Sequence, residues 1–173
     1  MKFELETAIE ILRQTPQTLE QMLGSLSPEW TETKDDRSDW SPYDIVGHLI
    51  HCEDTDWIPR AEVILAQGED LRFPPFDRFA QFEKYRDQTL AELLTAFKNE
   101  REKGIEQLRA WELTPEKLAL RGIHPDLGEV TLENLLATWV VHDLTHIRQI
   151  VTYMAKKYTE AVGPWKEYLS ILK

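Results

Sequence analysis

The most apolar run of the chain, Thr131 to Tyr158, carries two histidines, His142 and His146, four residues apart. An α-helix advances about 100° per residue, so residues four apart share a face. Along that face the run reads Leu135, Trp139, His142, His146, Ile150 and Met154, with Arg148, Lys156 and Lys157 mostly elsewhere. The pattern predicts a long helix that buries one stripe, and it places both imidazoles in the stripe. An unpaired buried polar group costs about 1–3 kcal/mol, so two adjacent imidazoles need a shared explanation. Either each is a core histidine hydrogen-bonded to a neighbouring helix, or the pair reaches one ion, which this spacing allows.

The rest of the chain supplies three more helical segments. Met1 to Leu23 has apolar residues at Phe3, Leu5, Ile9, Leu12, Leu19, Met22 and Leu23 and is followed by Gly24, a good terminator. Pro16 falls inside it and is expected to kink or divide it. Ser27-Pro28-Glu29 reads as a capped turn and Thr31–Asp39 as a loop. A second helix is expected from Pro42 to about Gln67, with Ser41 as N-cap and Asp44 at the third position. Its inward candidates are Ile45, His48, Leu49, Cys52 and Trp57, and Trp40 can pack back as a staple. His48 thus becomes the third candidate ligand.

Gly68–Asp77, with Pro74 and Pro75, cannot continue a helix and is expected to form a crossover or lid-like loop. Phe73, Phe76, Phe79 and Phe82 either cap one end of a bundle or wall a pocket. A third helix is predicted from Ala80 to Trp111, then a capped turn at Thr114 and an extended loop over Ala119–Val130 leading to Thr131 as N-cap of the last long helix. After Gly163-Pro164, Trp165–Leu172 can form a short terminal helix. Four long amphipathic segments without a convincing strand pattern predict an all-α four-helix bundle with a long crossover between helices 2 and 3, as one domain over residues 1–173.

Charge narrows the partners. A formal net charge of −11 disfavours nucleic acid, whose binding requires clustered Lys and Arg, and disfavours anionic membranes for the same reason. Met1–Arg13 lacks a leader pattern, no apolar stretch is long enough to span a bilayer, and Cys52 is the only cysteine. A cytoplasmic protein that meets a small-molecule substrate is the expectation, and dimerisation through a bundle face is compatible with the sequence.

Three neutral imidazoles, His48, His142 and His146, would give the three-ligand arrangement of a catalytic divalent metal site with positions left for water or substrate. Histidine-only ligation suits Zn, Ni, Fe or Cu, and both hydrolysis and thiol transfer are within its reach. His51, close to the face of His48, is a candidate proton shuttle or substrate contact, or a packing histidine. Cys52, four after His48, could ligate as a thiolate but more commonly such a residue is a small hydrophobe. Asp143, Glu53 and Asp56 are candidates for orienting an imidazole, and His124 beside Pro125 is most simply exposed.

Trp40-Ser41-Pro42, Val46-Gly47-His48-Leu49 and the stretch from Trp139 through His142–Ile150 resemble the DinB/YfiT-like superfamily of four-helix-bundle metalloenzymes. The likeness extends over nearly the whole chain, including the helix count and the long crossover. It implies a DinB-like fold and a metal triad of one histidine on the second helix and an H-x-x-x-H pair on the fourth, which fall here on His48, His142 and His146. It also implies a metal-dependent transferase, with Zn, Ni or Fe as the ion, without naming its substrate. Some relatives look like thiol S-transferases or isomerases that use a low-molecular-weight thiol such as bacillithiol, mycothiol or glutathione as cosubstrate, others are labelled hydrolases, and many have no assigned activity. The family name does not imply DNA contact.

Two rival readings follow from the same residues. His142–His146 could be a variant of the H-E-x-x-H peptidase motif with Asp143 as base, but aspartate is one methylene shorter and His48 would be left without a role. The other rival is a noncatalytic metal- or ligand-binding bundle.

Overall fold

A computed structural model describes residues 2–33 and 40–173, so most of the loop expected at Thr31–Asp39 lies outside the described residues. The first helix, α1 (Leu5–Leu23), buries Ile9, Leu12, Leu19 and Leu23. Of the two outcomes expected at Pro16, a kink or a division, division does not occur: the residue sits within an unbroken α1. Proline cannot serve the carbonyl of Leu12, and Arg101 donates to that carbonyl instead. A short turn, α2 (Pro28–Thr31), follows.

The expected second helix is present, and it begins where its capping chemistry dictates. The Ser41 backbone N–H donates to Asp44 at 2.7 Å and the Asp44 N–H returns a bond to the Ser41 hydroxyl, with Pro42 in the first turn. α3 (Pro42–Cys52) runs through a π-helical turn (Glu53–Trp57) into α4 (Ile58–Ala66), so the rod is continuous but wider in the middle. The widened turn precedes Pro59, which has no N–H for the carbonyl four residues back. Gln67, in the left-handed region with φ 45°, ends the rod.

The third helix differs from its expected form. It is two pieces, α5 (Ala80–Lys84) and α6 (Leu90–Ala110). A capping box between Thr89 and Glu92 starts α6 afresh, and the Tyr43 hydroxyl lies 2.7 Å from the carbonyls of both Tyr85 and Gln88 in the gap. After α7 (Pro115–Leu118), the segment expected to be an extended loop forms an antiparallel hairpin of β1 (Arg121–His124) and β2 (Gly128–Thr131). Its glycines mislead a local reading. Gly128, at φ 75°, serves the turn, whereas a Cβ on Gly122 would lie 2.6 Å from the Phe73 ring. The crossover runs beside this hairpin: Phe73 N–H donates to the Ile123 carbonyl and Ile123 N–H to that of Leu71, at 2.9 and 2.8 Å. The last long helix, α8 (Leu132–Lys156), is capped by Thr131 with Asn134, and 3₁₀ turns at Gly163–Tyr168 and Ser170–Leu172 close the chain.

α1 and α3 each pack against both α6 and α8, forming the four-helix bundle. Its apolar core has two parts. One contains Ile9, Leu12, Cys52, Trp57, Ile105, Leu108, Leu135 and Trp139, the other Leu19, Leu23, Ile45, Leu49, Leu93, Phe97 and Ile150. Between these parts each long helix carries buried or half-buried polar residues: Thr15, His48 and His51, Arg101, and His142, Asp143 and His146. The candidate site occupies this polar layer. Among the described residues no helix is long and apolar enough to cross a membrane.

Candidate metal centre

α3 and α8 face each other across the polar layer and bring the three expected histidines together. His48 Nε2 lies 3.3 Å from His142 Nε2, which lies 3.1 Å from His146 Nε2, and one nitrogen from each ring falls within 4.8 Å of the others. Aromatic rings fix the imidazoles. Trp40 meets His48 edge to face at 5.1 Å between centroids, further along α3 than a staple over its first turn, and Phe76 approaches from the crossover at 5.9 Å. Trp57, stacked on Trp139, meets His142 at 5.0 Å. Of the four phenylalanines only Phe76 touches the triad among the described contacts: Phe73 is buried in the core, while Phe79 is exposed and stacks on Phe82.

The protonation of the site suits a cation. His146 Nδ1–H donates to Gln149 Oε1 at 2.9 Å, which leaves its Nε2 lone pair facing the other two rings. Burial, with the neighbouring His146 and the charge of Arg78 adding to it, pushes His48 down to about 3. Burial, reinforced by His146 and His48, pushes His142 down to about 2, and burial also lowers His146. All three are therefore neutral at pH 7, the form that ligates. Three converging nitrogens cannot all be satisfied by one another's single protons, and His142 Nδ1 is buried without a partner. A cation at the convergence point satisfies the three lone pairs together, so the residues fit a metal ion.

Beneath the triad lies a group that the sequence reading missed. Arg101, 1 % exposed on α6, binds Glu53 through Nε and Nη2 at 3.1 and 2.7 Å and Asp143 through Nη1 and Nη2 at 2.5 and 3.0 Å. Trp139 Nε1–H also donates to Glu53, at 3.2 Å. Burial pushes the Glu53 carboxyl up against the pull of Arg101. The available signal was positional: Arg101 follows Phe97 and precedes Ile105 by four residues each, on the face that α6 buries. Gln149 was likewise overlooked, though it lies three residues past His146 on the same helix.

The other candidates are placed as follows. His51 is buried, its Nε2 3.0 Å from the Asp77 carbonyl and its ring against Phe76, so it ties α3 to the crossover. Asp143 faces Arg101, and its charge raises the pKa of His146 against the effect of burial. Asp56 pairs with Arg60 at 2.5 Å, and its carboxyl is pushed up to about 6 by burial. His124 is half-buried and accepts from the N–H groups of Asp126 and Leu127 in the hairpin turn. Cys52 lies in the buried layer with its thiol pushed up by burial and by Asp56 and Glu53. A surface groove of about 460 Å³, lined by Ala137, Thr138, Val141 and Thr145, reaches His142 from solvent.

Comparison with known proteins bears on the family and the fold. The DinB superfamily model matches residues 11–150. No curated protein matches the chain significantly. A solved structure from Bacillus subtilis, YfiT, described as a probable metal-dependent hydrolase with an unusual four-helix bundle topology, is similar over 91 % of this chain and 89 % of its own. The TM-score is 0.75 at 22 % identity, a likeness of fold.

Proposed function

The chain belongs to the DinB superfamily, and from that premise we propose that it is a metal-dependent enzyme acting on a small molecule, with a divalent ion held by His48, His142 and His146. The observation that carries this reading is the convergence of three Nε2 atoms with the His146 tautomer set by Gln149. When bound, such an ion supplies the Lewis acidity that ionises a water or a thiol near neutral pH.

The reaction we favour is transfer of a low-molecular-weight thiol to an electrophilic substrate. The carboxylates packed beneath the triad, Glu53 and Asp143, are both held by Arg101, which leaves neither placed as a general base. A thiol is far more acidic than water and has less need of such a base. The chain's part is then to hold the three imidazoles in the ligating tautomer, to shield them with Trp40, Phe76 and Trp57, and to admit substrate along the groove at His142. His51 contributes by fixing the crossover that carries Phe76. The second reading is hydrolysis, supported by the description of YfiT as a probable metal-dependent hydrolase. The single cysteine fits a cytoplasmic setting.

The test is elemental analysis of tag-free protein, as purified and after chelation and reloading with Zn, Ni or Fe, followed by turnover assays. One set pairs low-molecular-weight thiols with electrophiles, and the other offers esters and amides without thiol. Near-stoichiometric metal with metal-dependent thiol consumption is expected. Failure to bind any of these ions would overturn the metal-dependent reading, and ester or amide cleavage alone would select hydrolysis.

A further inference from the structure

A second groove, of about 580 Å³, continues along α8 from Thr145, the residue it shares with the groove at His142. Its α8 wall is one face of the helix, with Thr145, Arg148, Gln149 and Lys156 at i, i+3, i+4 and i+11, and Trp40 lines it as well. Two of these side chains touch the triad: Gln149 accepts from His146, and Trp40 meets the His48 ring. The groove therefore begins at the candidate metal centre. Beside it stands Arg78, whose guanidinium carbon lies 5.3 Å from the centroid of the Trp40 ring and 5.5 Å from that of Phe79, so two rings hold the cation in place. Burial is the chief cause of the lowered pKa values of His48 and His146, and the charge of Arg78 adds to the lowering at both.

The chain holds 31 Asp and Glu against 20 Lys and Arg, yet among the described residues no carboxylate side chain lines this groove, and Arg78, Arg148 and Lys156 join no ion pair. A fixed cation near a divalent ion opposes its binding, and an anion lying between the two reverses that opposition. Resting on the reading of the triad as a metal centre, we propose that the groove binds the carboxylate of a substrate whose reactive end lies at the ion, with Arg78 as the specificity-determining cation and Arg148 as its neighbour on α8. A guanidinium can stay stacked on an aromatic face while its edge donates two parallel N–H bonds to a carboxylate, which an ammonium cannot do. The groove at His142 has no cation in its lining, so the two grooves differ in the charge they admit.

The experiment loads tag-free protein with Co(II) and titrates it with N-acetylcysteine and with N-acetylcysteine amide, which differ only in the carboxylate, following the cobalt absorption spectrum. The wild type is expected to bind the carboxylate form more tightly by about tenfold or more, the scale of one hydrogen bond to a charged group. Arg78→Gln should lose most of that preference and Arg78→Gln with Arg148→Gln nearly all of it, while the affinity for the amide stays the same. Arg121→Gln, a cation paired with Glu129 in the hairpin, should keep the preference. Equal affinities for the two thiols in the wild type would overturn the anion site and leave the metal centre standing. So would a preference that survives the double variant, because it would then come from the ion itself. Failure of the wild type to bind Co(II) would overturn the metal centre and the anion site together.

Discussion

Arg101 donates a 2.7 Å hydrogen bond to the carbonyl of Leu12, the acceptor that Pro16 leaves without a helical donor. A defect written into α1 is thus completed by a side chain from α6. The same guanidinium holds Glu53, which follows Cys52, and Asp143, which follows His142. One cation therefore joins the backbone of α1 to the segments that carry the candidate ligands.

Replacing Arg101 by Met is expected to destabilise the fold by about 3–5 kcal/mol, because Glu53 and Asp143 would remain buried with no counter-charge. Lysine at the same position should recover only part of that loss, since an ammonium cannot make two forked contacts. Urea unfolding followed by circular dichroism measures both variants. A cost for Met below about 1 kcal/mol, the range of exposed ion pairs, would show that the layer contributes little.

His146→Ala is expected to abolish stoichiometric metal binding and leave the helical signal nearly unchanged. The residue is only partly buried, and its helix is anchored by Leu132, Leu135, Leu136, Trp139 and Ile150. Elemental analysis beside far-ultraviolet circular dichroism separates the two effects. Undiminished metal content would remove His146 from the ligand set.

Gln149 acts on the metal through His146. Gln149→Leu deletes the acceptor for Nδ1–H and should weaken binding by about 10–100-fold, whereas Gln149→Glu, a charged acceptor, should strengthen it. Competition against a chromophoric chelator gives the dissociation constants. Equal affinities in the wild type and the Leu variant would assign Gln149 no part in setting the tautomer.

The metal-free protein should lose stability on acidification from neutral pH. His48 and His142 take protons in the unfolded chain below about pH 6.5, but in the folded chain only near 3 and 2. Between these limits the unfolded state binds more protons, so stability falls with pH by up to about 1.4 kcal/mol per unit for each such histidine. Urea midpoints at pH 7.5, 6.0 and 5.0 measure the slope. Replacing His142 by Gln, which does not titrate in this range, should flatten it.

Local chemistry in the sequence was sufficient for the existence of the long helices, though not for the break between Lys84 and Leu90, and for placing His48, His142 and His146 on inward faces. Caps at Ser41 and Thr131 depend on residues three positions apart, and the i, i+4 stripe that holds His142 and His146 is a property of one helix. What the sequence could not determine depended on partners far along the chain. Pro16 was compatible with a broken helix until Arg101, 85 positions later, supplied its missing bond. Ala119–Val130 was compatible with a loop until β1 paired with β2 and the crossover at Leu71–Phe73 bonded to Ile123. Arg101 carried no local sign of its role until α6 met α3 and α8 and set its guanidinium between Glu53 and Asp143. Periodicity fixes which face a side chain occupies, but only packing between helices fixes which atom stands opposite it.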